Sequence, residues 1–149
     1  MYFPLAFPAI DLGLRHDGRE VFDPVRRRWV RCTPEEWVRQ HLIRFLADHR
    51  GYPLELMAVE KAFPYHGLMR RADLVAYGSG LKPLVIAECK APAVALDQRT
   101  AEQVARYNTT VGATLWLLTN GLRHFVGTAS PVRLLADIPP REAAEQGLF

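Results

Sequence analysis

The chain has 149 residues, 49% of them apolar and 23% charged, and a formal net charge of +3. That length and make-up suit one self-sufficient globular core, and no apolar run reaches the ~20 residues that span a bilayer. The two cysteines, Cys32 and Cys89, lack metal-ligand spacing, which argues against zinc and a disulfide framework, and the mild basicity permits a polyanionic partner without requiring one.

The apolar start, Met1 to Pro8, is broken by two prolines and has no basic flank, so it does not read as a signal peptide, and a cytoplasmic protein is expected. Residues 1–12 are expected to be extended, with their aromatics packed on the domain or on a second copy. Leu12–His16 and Arg19–Phe22 flank Asp17-Gly18, a hairpin pattern with a primed turn. Val25–Arg31 reads as a short exposed strand carrying Arg26, Arg27, Arg28 and Arg31, either a charge-guarded edge or a phosphate-binding strand. Thr33-Pro34-Glu35-Glu36 opens a helix over about 34–50, with Thr33 as N-cap and Glu36 as its capping-box partner. Strands follow at 56–63, 71–77 and 84–90, forming an antiparallel meander with Pro64–Gly67 as its first turn. A helix over about 97–111, a buried strand at 113–119, an Asn120-Gly121 turn and a strand at 122–126 come next. Beyond Gly127 lie one short strand within 132–136, Pro139-Pro140 and a weak helix. The order predicts an α/β fold, a central mixed sheet flanked by helices with an N-terminal β extension.

Charge interrupts two of these strands. Asp73 opens one, and Glu88 and Lys90 close the next, pointing the same way while Cys89 points oppositely. Two carboxylates and a carbonyl can hold Mg²⁺, and a neighbouring lysine can orient a water or take its proton, which suits phosphodiester hydrolysis. The plainer alternative pairs Glu88 with Lys90 and leaves Asp73 in a turn. On the following helix Gln103, Arg106 and Tyr107 share one side, able to bond a lysine or phosphates, or simply to form an amphipathic surface.

Arg71-Ala72-Asp73, Val85–Pro92 and Gln103-Val-Ala-Arg-Tyr107 together resemble the PD-(D/E)XK nuclease superfamily. They are most similar to the N-terminal nuclease domain of type I restriction enzyme R subunits, as are Phe22–Gln40 and Thr119-Asn120-Gly121. The resemblance covers about residues 20–126 of one nuclease-like domain, with 1–19 and 127–149 as extensions. It implies a restriction-endonuclease-like core and metal-dependent DNA cleavage with Mg²⁺, or Mn²⁺ in its place. Asp73, Glu88 and the Cys89 carbonyl would hold the metal, and Lys90 would serve the attacking water. Gln103 and Tyr107 match a QxxxY motif that arranges site and DNA. Glu36 is the candidate acid from the first helix, with Arg71 and Gln40 as lesser candidates. Ala72 stands where the family has proline. No G-x-x-x-x-G-K-[ST] loop is present, so ATP hydrolysis by that route is not expected, and a motor would come from restriction-system or helicase-like partner subunits. A double-strand break would need a homodimer or two nicks. The rival readings are a nuclease-fold domain that binds nucleic acid or a partner without cleaving, and an interaction protein using the arginine cluster.

Overall fold

The computed structural model describes residues 5–129 and 132–149. Its elements in chain order are β1 (Glu20–Asp23), β2 (Arg28–Arg31), α1 (Pro34–Arg50), β3 (Met57–Tyr65), β4 (Leu68–Tyr77), β5 (Pro83–Cys89), α2 (Gln98–Val111), β6 (Leu115–Thr119), β7 (His124–Thr128), β8 (Leu134–Leu135) and α3 (Arg141–Gln146). β1 and β2 form a separate ribbon, and the other six strands form one sheet in the order β3-β4-β5-β6-β7-β8. Every neighbouring pair in it is antiparallel except β5–β6, whose parallel pairing requires the crossover that α2 supplies. The expected mixed sheet flanked by helices is therefore the fold observed. Among the described residues no helix is long and apolar enough to cross a membrane.

Each face of the sheet buries one helix stripe. Val38, Leu42, Ile43 and Leu46 of α1 pack with Leu74, Ala76, Ala87 and Leu117. On the other face, Ala101, Val104 and Tyr107 of α2 pack with Val75, Ile86, Trp116 and Leu118. α1 starts at Thr33, whose hydroxyl accepts from the Glu36 amide at 3.0 Å, and ends at Gly51, whose φ of 77° is one that side chains resist. The N-terminal segment packs on the domain through Phe7, with ring centroids 5.4 Å from Phe45 and 4.8 Å from His124. The part of that segment before Leu5 lies outside the described residues.

Several boundaries differ from the sequence reading, each for a local reason. Asp17-Gly18 turns the chain, but only one bridge, Arg15↔Glu20, forms behind it, and β1 pairs forward with β2. Buried Asp23 drives that choice. Its carboxylate accepts from the Val25 and Arg26 amides at 2.7 and 2.9 Å, which makes Pro24–Arg27 the turn and delays the arginine strand to Arg28. β3 runs on through Pro64 to Tyr65, tolerated because β3 is an edge strand and needs no donor on its open side. β6 starts at Leu115 because the Asn108 side chain holds both the amide and the carbonyl of Ala113. β7 is two residues late because Asn120 Oδ1 accepts from the Leu122 and Arg123 amides and keeps them in the turn.

Candidate active site

The β4–β5 ladder stops at Leu74↔Ala87, one step before Asp73 and Glu88 would face each other. Beyond it the Cys89 amide donates to Asp73 Oδ2 at 2.7 Å, and the Lys90 amide donates to the Thr119 carbonyl at 2.8 Å. On the other side of β4 the ladder skips the position where Glu60 would meet Asp73, and Glu60 has a φ of 55°, a strained conformation for a residue with a Cβ. Asp73 thus sits where pairing breaks on both flanks, and its carboxylate fills part of the gap.

Glu88 and Lys90 share a side, with Nζ 3.6 Å from Oε1, and Asp73 and Glu88 are both half-buried. Burial first, and then the charge of Asp73, pushes the Glu88 carboxyl up to about 7, against the pull of Lys90 and Arg70. Burial also raises Asp73, opposed by the Cys89 amide and by the charges of Arg39 and Lys90. These are two desolvated acids whose negative charge is incompletely balanced, an environment that favours a cation. Cys89 is fully buried, and burial holds its thiol well above the ordinary range, so the thiol stays protonated and only its main chain reaches the site.

Tyr107 is buried on α2 and donates its hydroxyl to the Arg70 carbonyl at 2.9 Å, while the Arg70 guanidinium lies 4.5 Å from its ring centroid. The Tyr107 phenol is raised by burial, and the nearby Glu88 charge adds to that. Gln103, one turn earlier, is exposed and makes no side-chain hydrogen bond among the described residues.

Glu36 lines the same cleft as Asp73, but its side chain is taken up by arginines. Its carboxylate accepts from Arg39 Nη2 at 2.6 Å and Nε at 2.9 Å, from Arg26 Nη2 at 2.7 Å and from Gln40 Nε2 at 3.0 Å. Burial alone would raise it, but the bonds and charge of Arg39, with Gln40 and Arg26, outweigh burial and bring it to about 2. The helix cap therefore forms from the Thr33 side only, and the Glu36 side chain, expected to reach back to the cap, is drawn to the arginines. Arg39 carries this network onward, with Nη1 3.9 Å from Asp73 Oδ1 and Nη2 3.7 Å from Glu60 Oε1. Arg71 is exposed.

Residues 34–139 match the family model for the type I restriction enzyme R protein N terminus. The chain belongs to this family. A solved structure described as a fragment of an HsdR subunit of a type I restriction enzyme from Vibrio vulnificus YJ016 has the same fold, with a TM-score of 0.61 at 16% identity over 78% of this chain. The chain spans 25% of that chain's length. A search of curated proteins finds no match.

In this R-protein N-terminal domain, two residues that the sequence reading passed over stand at the site. Arg39 is one, and its signal was the Glu36-x-x-Arg39 spacing, which places a cation one turn after the acid. Glu35 is the other. It lines a cleft of about 530 Å³ together with Asp73, and partial desolvation and then the Asp73 charge push its carboxyl up. Nothing in the sequence separates Glu35 from Glu36; only the arginines that capture Glu36 do so.

Proposed function

We propose that the chain is a nuclease module that hydrolyses DNA phosphodiester bonds with the help of a divalent cation. The observation that carries this reading is the half-buried acid pair of Asp73, midway along β4, and Glu88, near the end of β5, just past the point where the β4–β5 ladder stops, with Lys90 beside it. Family membership supports it, because the family is named for a restriction enzyme protein.

The donor set fits a hard cation. Asp73 and Glu88 offer carboxylate oxygens, and the buried Cys89 thiol stays protonated. That suits Mg²⁺, or Mn²⁺ in its place, which keeps several of its waters, better than it suits zinc. Such an ion, held by Asp73, Glu88 and the Cys89 carbonyl, would polarise the phosphate and acidify a water. Lys90 would donate to and orient a water whose oxygen bonds to phosphorus while the P–O bond to the ester oxygen breaks, the water's proton passing to solvent and the leaving oxygen taking one from it. Arg39 is a positioning residue, since it braces Asp73 while being held by Glu36. Glu35, the exposed acid on the cleft wall, replaces Glu36 as the candidate acid from the first helix. Tyr107 fixes the Arg70 backbone on β4, and Gln103, one turn earlier on α2, is exposed.

A restriction-system subunit is one candidate partner, and a second copy of this chain is the other. A second reading, binding of nucleic acid or a partner without cleavage, draws on the 3.6 Å contact that lets Lys90 neutralise Glu88. Incubation with supercoiled plasmid in Mg²⁺, Mn²⁺ or EDTA decides between them. Nicking is expected with either metal and not in EDTA, and Asp73→Ala and Lys90→Ala should each lower it at least 100-fold. Wild type that nicks nothing, or variants that nick equally well, would overturn the catalytic assignment.

A further inference from the structure

We propose that the β1–β2 hairpin is the arm that holds the phosphate backbone of a DNA strand over the cleft, with Arg28 and Arg31 as its phosphate contacts. The proposal deepens the nuclease reading and rests on it for the strand's destination. The family-model match over residues 34–139 begins after the hairpin, although the stretch Phe22–Gln40 resembles the family in sequence.

Arg26, Arg28, Arg31 and Arg39 all line the cleft that contains Asp73. Two of the four are already committed. Arg26 binds Asp23 at 2.5 Å and Glu36 at 2.7 Å, and Arg39 binds Glu36 at 2.6 Å. The side chains of Arg28 and Arg31 are exposed and form no ion pair or hydrogen bond among the described residues. An exposed strand with unpaired charge is often only a guarded edge. Here the ribbon is built to stay in one place. Asp23, with 0% exposure, ties the turn amides to Arg26, and Arg26 ties the turn to α1 through Glu36. Beside it, Arg15 lies 4.0 Å from the Trp29 ring centroid and Phe22 meets Trp29 edge-on at 5.6 Å. The buried ion network thus fixes the base that carries two free guanidiniums, in a cleft that Glu35 and Asp73 also line.

A guanidinium suits a phosphate because its planar donors match two phosphate oxygens at once. Arg28 and Arg31 are exposed where Asp73 is half-buried, which separates the two tasks. The arginines would grip phosphates flanking the reacting one, and the acids would act on it. Contacts of this type carry no base information, so the arm would hold DNA without regard to sequence.

The test measures binding of labelled single- and double-stranded oligonucleotides by fluorescence anisotropy in EDTA, across a salt series. For duplex, Arg28→Ala/Arg31→Ala is expected to weaken binding at least 10-fold at low salt and to flatten the log K against log salt slope by about 2, since each lost phosphate contact removes about 0.9. Arg28→Ala and Arg31→Ala alone should each remove about 1, and thermal melting should be unchanged because neither side chain has a partner to lose. Lys82→Ala, about 20 Å along β5 from Glu88, is the control and should shift affinity less than threefold. Equal affinity and slope in wild type and the double variant, or a wild type that binds neither probe, would overturn the arm. Hairpin-dependent binding by a protein that cuts nothing would uphold the arm and sink the nuclease reading. Full-rate cutting by the double variant at low substrate would do the reverse.

Discussion

At the scale of single residues, Glu36 and Glu88 show how neighbours decide what a carboxylate does. Glu36 is held at about 2 by donors that outweigh its burial, while Glu88 is lifted to about 7 by burial and Asp73. A depressed acid stabilises the fold above its unfolded value near 4.5 and loses that contribution as pH falls through about 2. Glu36→Gln should therefore cost about 3 kcal/mol near neutral pH, because Arg26 and Arg39 lose their buried partner. In urea titrations the gap between variant and wild type should narrow as pH drops below 4.5. A neutral-pH loss under about 1 kcal/mol would show that the network is ornamental. Glu88 has the opposite sign. Its raised value gives stability that is complete below about 4.5 and lost as pH rises through about 7. In EDTA, Glu88→Gln should gain on the order of 2 kcal/mol at pH 8 and nothing at pH 4. A variant less stable than wild type at pH 8 would mean that the Lys90 contact outweighs desolvation. Millimolar Mg²⁺ should in turn raise the melting temperature of wild type but not of Glu88→Gln or Asp73→Asn. The sequence announced Asp73, Glu88 and Lys90 because charge inside an apolar strand is conspicuous. It did not distinguish Glu35 from Glu36, since both sit in a first helical turn and Arg39 follows each within four residues. Arg39, joined by Gln40 and by Arg26 from the β1–β2 turn, takes Glu36.

At the scale of elements, what could be read from the sequence was whatever local periodicity controls. Both long helices, the meander and the buried sixth strand follow from apolar spacing and from caps such as Thr33 and Asp97. What could not be read was set by side chains reaching across the chain. Asp23 chose the partner of β1, and Asn108 and Asn120 trimmed β6 and β7. The β6–β7 pair holds another such dependence. Gly127 lies opposite Trp116, and a Cβ there would sit 2.2 Å from the indole ring, which has only 3% exposure and little room to move. Gly127→Ala should cost about 2–3 kcal/mol as the ring is forced off its rotamer, lowering the melting temperature by roughly 5–10 °C. Adding Trp116→Phe should recover part of the loss, because the smaller ring vacates the contacted atoms. A melting temperature within a degree of wild type would mean that the strands part easily at that point.

At the scale of the whole molecule, the proposed site residues of the described chain gather at one place, around Asp73, which makes one candidate centre for cleavage. One such centre faces one phosphodiester at a time, whereas a duplex presents two of opposite polarity. A single chain acting alone should therefore convert supercoiled plasmid first to the nicked circle, with linear DNA appearing only after nicks accumulate on opposite strands. The nicking rate should rise in direct proportion to protein concentration. The alternative is that two copies act together, and it has a different signature: linear DNA from the first time points and a rate rising with the square of concentration. The cleft residues Arg28 and Arg31 are exposed in a single chain, and all the proposed site residues come from that one chain. For that reason proportional nicking is the expected outcome, and immediate linearisation would show that the cutting unit is larger than one chain.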